Sequence, residues 1–234
     1  MSTTTANPRQ AVILAAGRGE RLRPLTDHTP KPMIEVGGRP LLDHHLAALA
    51  AAGITRCVVN VAHLGAQIEA HLAQIPSFGI EILISREPPG ALETGGGLRQ
   101  AITLLEPRPF MVLNGDIFCD FDLRRLHGQP RGLAHLVLVP NPPGNPAGDF
   151  CLLGEQVSNA PSPRLTFSGI AVYHPALFDD APSEARFPLA PLLRRAADRG
   201  QVSGEAHAGR WFDIGTPERL ALARAATLRG NPRP

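Results

Sequence analysis

Through its first half the chain alternates short apolar runs with stretches of helical spacing, and this alternation limits the fold more than any other feature. Ala11-Val12-Ile13-Leu14-Ala15 lies between a polar stretch and a glycine loop, which predicts a buried parallel strand at 11–15. Leu42, Leu46 and Leu49 form one stripe of a helix predicted at 41–52, with Gly53 as its stop. Strands at 57–61, 80–84 and 110–113 and helices at 65–73 and 94–105 continue the pattern. Strands separated by helix-length segments need crossover connections, so this half reads as α/β on a parallel sheet. After residue 130 the grammar changes. Strands are predicted at 133–139 and 165–173, a hairpin at 149–157 and a helix at 189–199. A short strand near Val202, a strand at 210–214 and a helix at 217–228 close the chain. The expected architecture is one α/β domain over 11–228 with tails at 1–10 and 229–234. It is a three-layer αβα sandwich with a mostly parallel central sheet and a small mixed C-terminal portion.

Composition removes several classes. At 43% hydrophobic and 19% charged the chain is globular rather than disordered. A formal charge of +2, from 23 basic and 21 acidic residues, is too balanced for a general nucleic-acid binder. The 24 prolines are about twice the usual share and crowd at 140–146, where they punctuate a loop. Cys57, Cys119 and Cys151 are widely spaced with no CxxC pair, so they read as small core residues rather than a zinc or redox centre. No apolar run approaches the length of about 18 residues that a membrane span needs. Residues 1–10 are polar and lack the apolar stretch of a signal peptide, so a cytoplasmic protein is expected.

The chemistry concentrates after the first strand. Leu14-Ala15-Ala16-Gly17-Arg18-Gly19-Glu20-Arg21-Leu22 is a glycine loop leaving a strand, a place where backbone N–H groups meet phosphate oxygens unobstructed. The dinucleotide fingerprint fails because Leu22 occupies its third glycine, and no Gly-Lys-Ser/Thr closes a P-loop. Arg21 and Lys31 remain as cations that reach a polyphosphate from two sides, with Pro30 and Pro32 restricting the backbone that aims Lys31. Lys31 is read as a solvated lysine. Asn114-Gly115-Asp116 ends a parallel strand, where ligands of such sheets bind, and a carboxylate there suits Mg²⁺ bound to substrate phosphates. Asp213 ends another strand and is expected to share that metal. Asp122, before Leu123-Arg124-Arg125-Leu126, reads as an N-cap instead.

The run of residues 14–26, followed by Pro30-Lys31-Pro32, resembles the signature of the sugar-nucleotide pyrophosphorylases, a nucleotidyltransferase family. Leu92-Glu93-Thr94-Gly95-Gly96-Gly97, Asn114-Gly115-Asp116, Phe167-Ser168-Gly169-Ile170 and Trp211-Phe212-Asp213-Ile214-Gly215-Thr216-Pro217 follow in the family's order. The resemblance implies a Rossmann-like fold that couples a nucleoside triphosphate to a sugar 1-phosphate and releases pyrophosphate. It implies Mg²⁺ on Asp116 and Asp213, with Arg21 and Lys31 completing the catalytic set. Nucleotide contacts are expected at Ala15, Ala16, Gly17, Gly19, Glu20, Arg21, Lys31 and Gly95, and sugar contacts at Glu93, Asn114, Asp149, Ser168 and Gly169.

Several of these positions, and His63, also have plainer readings: the glycine loop as an ordinary strand-to-loop turn with surface cations, and Asp116 and Asp213 as caps of loops or helices. The Glu93–Gly97 stretch is either a substrate loop or a simple helix entry capped by Thr94. Asp149 is either a sugar contact or a hairpin aspartate. Gly169 inside a strand marks either close ligand approach or a bulge. His63 either lines a base pocket or is structural. Within the family, the short chain, the Leu-Glu-Thr-Gly-Gly-Gly spelling and the Gly148-Asp149-Phe150 turn direct the expectation to uridylyl transfer from UTP to N-acetylmuramate 1-phosphate. Guanylyl transfer to mannose 1-phosphate is the alternative within the class, and a non-catalytic nucleotide-sugar sensor the alternative outside it. One departure stands out. Many relatives hold the sugar phosphate with a second, mid-chain lysine, and no lysine follows Lys31 here, so arginine, backbone amides or the metal must serve.

Overall fold

The first strand, β1 (Gln10–Leu14), lies at the centre of the parallel half of the sheet, flanked by β4 (Arg56–Val61) and β6 (Phe110–Asn114). Outside β4 runs β5 (Glu81–Arg86), also parallel. The computed structural model describes residues 7–228 except 89, 91 and 162. The expected C-terminal tail therefore lies outside the described residues, as does most of the N-terminal one, and Gln10 already belongs to β1. The crossovers are helical: α1 (Leu41–Ala51) and α2 (Gly65–Leu72) on one face, α3 (Glu93–Ala101) on the other. Alternation along β1 shows why a two-sided sheet forms. Ala11 and Ile13 pack with Leu42, Leu46 and Ile68, while Val12 packs with Leu98 and Ala101 on the opposite face.

The second half supplies β8 (Ala134–Val139), β9 (Phe150–Leu153), β10 (Gln156–Ser158), β11 (Arg164–Tyr173) and β12 (Val202–Ala206), with α4 (Ala190–Asp198) against the α3 face. Among the described residues these join one nine-stranded sheet in the order β5-β4-β1-β6-β11-β8-β12-β10-β9. The parallel character belongs to the first four strands of that order. From β11 onward the sheet is mixed, with β11 antiparallel to both β6 and β8. Early in its length β11 also pairs with β9, so five strands close on one another into a ring. Between Phe167 and Ala171 the register of β11 shifts, which is a bulge at Ser168-Gly169.

Two short pairs lie beside the main sheet. One is the hairpin β2 (Glu35–Val36) and β3 (Arg39–Pro40) inside the long loop. The other joins β7 (Ile117–Cys119) to β13 (Trp211–Asp213), antiparallel, with Asp213 opposite Ile117. The sequence reading has no strand at 117–119. Three residues are too few to show an alternation, and their pairing partner lies some ninety positions away. A third cluster of Leu22, Ile34, Leu41, Phe118, Ile214 and Leu220 seats this pair and α5 (Pro217–Leu228) against the long loop. All three cysteines are free; Cys57 and Cys151 are buried and Cys119 partly so. No helix among the described residues is long and apolar enough to cross a membrane.

Candidate active site

The carboxyl ends of β1, β4 and β6 open onto a cavity of about 230 Å³ lined by residues 14–17, Asn60, Asn114, Gly115 and Asp116, together with Lys31, Pro32, Glu87, Glu93 and Thr94. A wider opening of about 490 Å³ adjoins it between residues 18–21 and Gly215, and Lys31 lines both.

The charged residues meet here. Lys31 Nζ donates to Asp116 Oδ2. Contrary to the expected solvated lysine, its side chain is only 11% exposed, because the short 3₁₀ turn at Lys31–Met33 packs it beneath the loop. The backbones of the two aspartates are neighbours: the Ile214 N–H donates to the Asp116 carbonyl at 2.8 Å. Asp213 is paired with Arg219 on α5. Arg21, exposed at its own position, reaches over Gly215, where an added Cβ would lie 2.9 Å from Arg21 Nη2 and 3.1 Å from Asp213 Oδ1. Residues separated by nearly two hundred positions thus form one group of two carboxylates and three cations. Behind Asp116, His45 of α1 is 6% exposed, and burial, reinforced by neighbouring His44, pushes its pKa down to about 4 against the pull of Asp116 and the Gly115 backbone.

Two site residues escape the sequence reading. Asn60, buried at the end of β4, accepts from Ala15 N at 2.6 Å and donates to Glu87 Oε1 at 2.6 Å. The other oxygen of Glu87 accepts from Leu92 N at 2.7 Å, which ties the entry of α3 to β1 and β4. The available signal is one polar residue inside the apolar run Val58-Val59-Asn60-Val61 and a glutamate directly after a strand. Ala15 lines the cavity as expected, but its amide is engaged by Asn60 rather than free for phosphate.

The remaining expectations divide. Gly17 and Ala16 line the cavity, while Gly19, Glu20 and Arg21 line the wider opening. Glu93 and Thr94 face the cavity, but Thr94 is not a cap. Helix α3 begins after Leu92, and Glu93 carries a φ of 58°. Gly95 is buried and its amide donates to the Phe187 carbonyl at 3.0 Å, as does that of Gly96 at 3.1 Å. An added Cβ would lie 2.4 Å from the Phe187 ring at Gly95 and 2.1 Å from the Ala185 carbonyl at Gly96. Gly95 and Gly96 therefore let segment 182–187 pack on the first turn of α3, while Gly97 makes room for Glu87 and Asn60, and the Gly95 amide is engaged by Phe187.

Asn114 lines the cavity and is backed by Gly169, where φ is +84° and a Cβ would lie 2.6 Å from Asn114 Nδ2. The bulge thus serves close packing of β11 on Asn114. Ser168 Oγ accepts from Ile170 N at 3.1 Å, and its carbonyl accepts from Trp211 Nε1 at 2.9 Å. Asp149 sits as a hairpin aspartate, its carboxylate accepting from Phe167 N at 2.8 Å and Asn145 Nδ2 at 3.2 Å. His63 Nε2 lies 3.2 Å from the Thr26 carbonyl, a structural contact. Asp122 caps its turn through Arg124 N at 3.0 Å.

Elsewhere, Cys119, Asp120 and His207 bring three donor atoms within 4.8 Å of one another. Asp120 is already satisfied by Arg210 N at 2.8 Å, Arg210 Nε at 3.2 Å and His207 Nε2 at 2.9 Å, while burial pushes the Cys119 thiol up to about 12. This group is a strut between β7 and the approach to β13.

A model of the nucleotidyl transferase family matches residues 10–147. An N-acetylmuramate alpha-1-phosphate uridylyltransferase from Neisseria meningitidis is 47% identical over 225 residues, covering 92% of this chain and 97% of that protein. One of the same name from Caulobacter vibrioides is 33% identical, covering 93% and 96%. Among solved structures, the inositol-1-phosphate CTP transferase from T. maritima shares the fold, with a TM-score of 0.79 at 18% identity over 95% of this chain and 98% of that one. With motifs in the family's order on the family's fold, the chain belongs to the nucleotidyl transferases and is an enzyme of that class.

Proposed function

We propose that the protein transfers the uridylyl group of UTP to N-acetylmuramate 1-phosphate, giving UDP-N-acetylmuramate and pyrophosphate, as a cytoplasmic step of cell-wall recycling carried out by a single domain over 11–228. The observation that carries the chemistry is the convergence of Asp116, Asp213, Lys31 and Arg21 at the mouth of the parallel sheet. The donor and acceptor rest on the identity with the Neisseria uridylyltransferase over nearly the whole of both chains.

A phosphate oxygen of the acceptor attacks the α-phosphorus in line, the bond to the β-phosphate oxygen breaks, and pyrophosphate leaves. The acceptor phosphate is already anionic, so no protein base is needed and catalysis consists of positioning and charge stabilisation. Lys31, held between the two openings, and Arg21 over Gly215 oppose the charge of the polyphosphate. The glycine loop brings backbone close to the phosphates. Asp116 and Asp213 offer hard carboxylate oxygens on adjacent backbones, 32% and 27% exposed, a donor set that fits Mg²⁺. Bound there, Mg²⁺ supplies neutralisation of phosphoryl oxygens. Asn114 offers a donor and an acceptor to the sugar.

Pyrophosphate release measured over four nucleoside triphosphates and a panel of sugar 1-phosphates tests this reading. Preference for UTP with N-acetylmuramate 1-phosphate is expected. Preference for GTP with mannose 1-phosphate would replace the substrate assignment, and binding of a nucleotide sugar with no turnover of any pair would replace the enzyme.

A further inference from the structure

We propose that Arg219 is the residue that binds the phosphate of the acceptor, an inference that rests on the reading of the site as one joining a sugar 1-phosphate to a nucleotide. Charge accounting raises the question. A nucleoside triphosphate and a phosphate monoester bring several negative charges together, while Lys31 is the only lysine in the sequence and sits on Asp116. A second fixed cation is required on the acceptor side.

Arg219 is the cation whose position is built. Its Nη1 donates to Asp213 Oδ2, and only 25% of its side chain is exposed. A Cβ on Gly144 would lie 2.0 Å from Arg219 Nη2, so the guanidinium occupies the space that the glycine leaves open. It is therefore gripped between a carboxylate of the reaction centre and the tip of the proline-rich loop. That loop is pinned in turn. Asn141 Nδ2 donates to the Arg164 carbonyl at 3.0 Å, Thr166 Oγ1 donates to Asn141 Oδ1 at 2.9 Å, and Asp149 accepts from Phe167 N at 2.8 Å. These anchors lie on β11 immediately before the bulge that backs Asn114.

Arg219 thus joins Asp213, where the acceptor phosphate would react, to the loop anchored on β11 directly before the bulge that backs Asn114, the residue proposed to meet the sugar. The planar guanidinium presents several donors, and pairing with Asp213 engages one edge, leaving others to grip phosphate oxygens in a forked geometry. Asp213 and Gly144 together preset its orientation, so little side-chain freedom is lost on binding.

The test separates acceptor from donor. In Arg219→Ala the KM for the sugar 1-phosphate should rise about tenfold to a hundredfold, the scale of one charge-assisted contact, with the KM for UTP within about twofold. Arg219→Lys should recover part of the loss. Gly144→Ala, which removes no charge but displaces the guanidinium, should raise the acceptor KM in the same direction. Calorimetric titration of the wild type and Arg219→Ala with the sugar 1-phosphate and with the phosphate-free sugar should show the difference only for the former. An unchanged acceptor KM in a folded Arg219→Ala or Gly144→Ala protein, or an equal rise for both substrates, would overturn the assignment. If the panel selects a different sugar 1-phosphate or nucleotide, the same measurements are made with that pair. The substrate reading then fails separately from the role of Arg219.

Discussion

Asp116 and Asp213 are each balanced by a cation, Lys31 and Arg219 respectively, so neutralising one carboxylate changes the charge of the whole group. If the two aspartates hold one Mg²⁺, Asp116→Asn and Asp213→Asn preserve shape and remove the metal's anchor. Each should lower kcat by orders of magnitude, and the double variant should be little slower than either single, because residues serving one ion act as a unit. Single-turnover rates read beside the melting temperature decide the matter. A folded Asn variant running at wild-type speed would remove that aspartate from the metal site. Most of these residue types were legible in the sequence, since the chemistry of phosphate transfer needs carboxylates and cations beside a glycine loop. Their pairing was not. Arg219 lies only six positions from Asp213, yet nothing in the spacing says that its guanidinium turns back over the carboxylate and under Gly144.

Helix α3 is legible as an element in the sequence, but the packing of its first turn is not. A run of three glycines at a helix start suggests amides open to a ligand, whereas the amides of Gly95 and Gly96 are taken by the Phe187 carbonyl of segment 182–187. Arg99 strengthens the cover, donating to the Glu184 carbonyl at 2.6 Å and stacking 4.8 Å from the centre of the Phe187 ring, and Arg186 meets Glu93 at 3.1 Å. Glu93, with its φ of 58°, stands where this cover meets the cavity, a backbone conformation seldom adopted outside glycine. Gly96→Ala should therefore lose stability by about 1–3 kcal/mol, the usual scale of overpacking, because the methyl group meets a carbonyl rather than a flexible side chain. Urea denaturation measures the loss, and hydrogen exchange should rise across 182–187. Unchanged stability and protection would show that the segment accommodates the methyl group freely.

On the scale of the whole molecule, α1 couples the stability of the fold to the site. His45 is held neutral behind Asp116 with a pKa near 4 against an ordinary 6.5, so the unfolded chain binds its proton first as pH falls. The stabilisation is complete above about pH 6.5 and declines as pH falls toward about 4, by roughly 3 kcal/mol in all. Thermal unfolding followed from pH 7 to pH 4 should show this slope, and His45→Gln should flatten it; an identical slope in the variant would mean that other groups carry the acid sensitivity. The sequence by itself determined the α/β class, the elements of the parallel half and the residue types around the phosphates. Each of these is written locally, as hydrophobic period, glycine placement and charge. Only the tertiary structure decided that β11 enters antiparallel beside β6, that Asn60 and Glu87 tie the cavity wall together, and that Lys31 is buried. It also decided that the amides of Gly95 and Gly96 face Phe187 rather than a nucleotide. Those outcomes depend on which distant segment arrives to pack against each residue, a choice made by the burial of the whole core rather than by the local spacing of any one stretch.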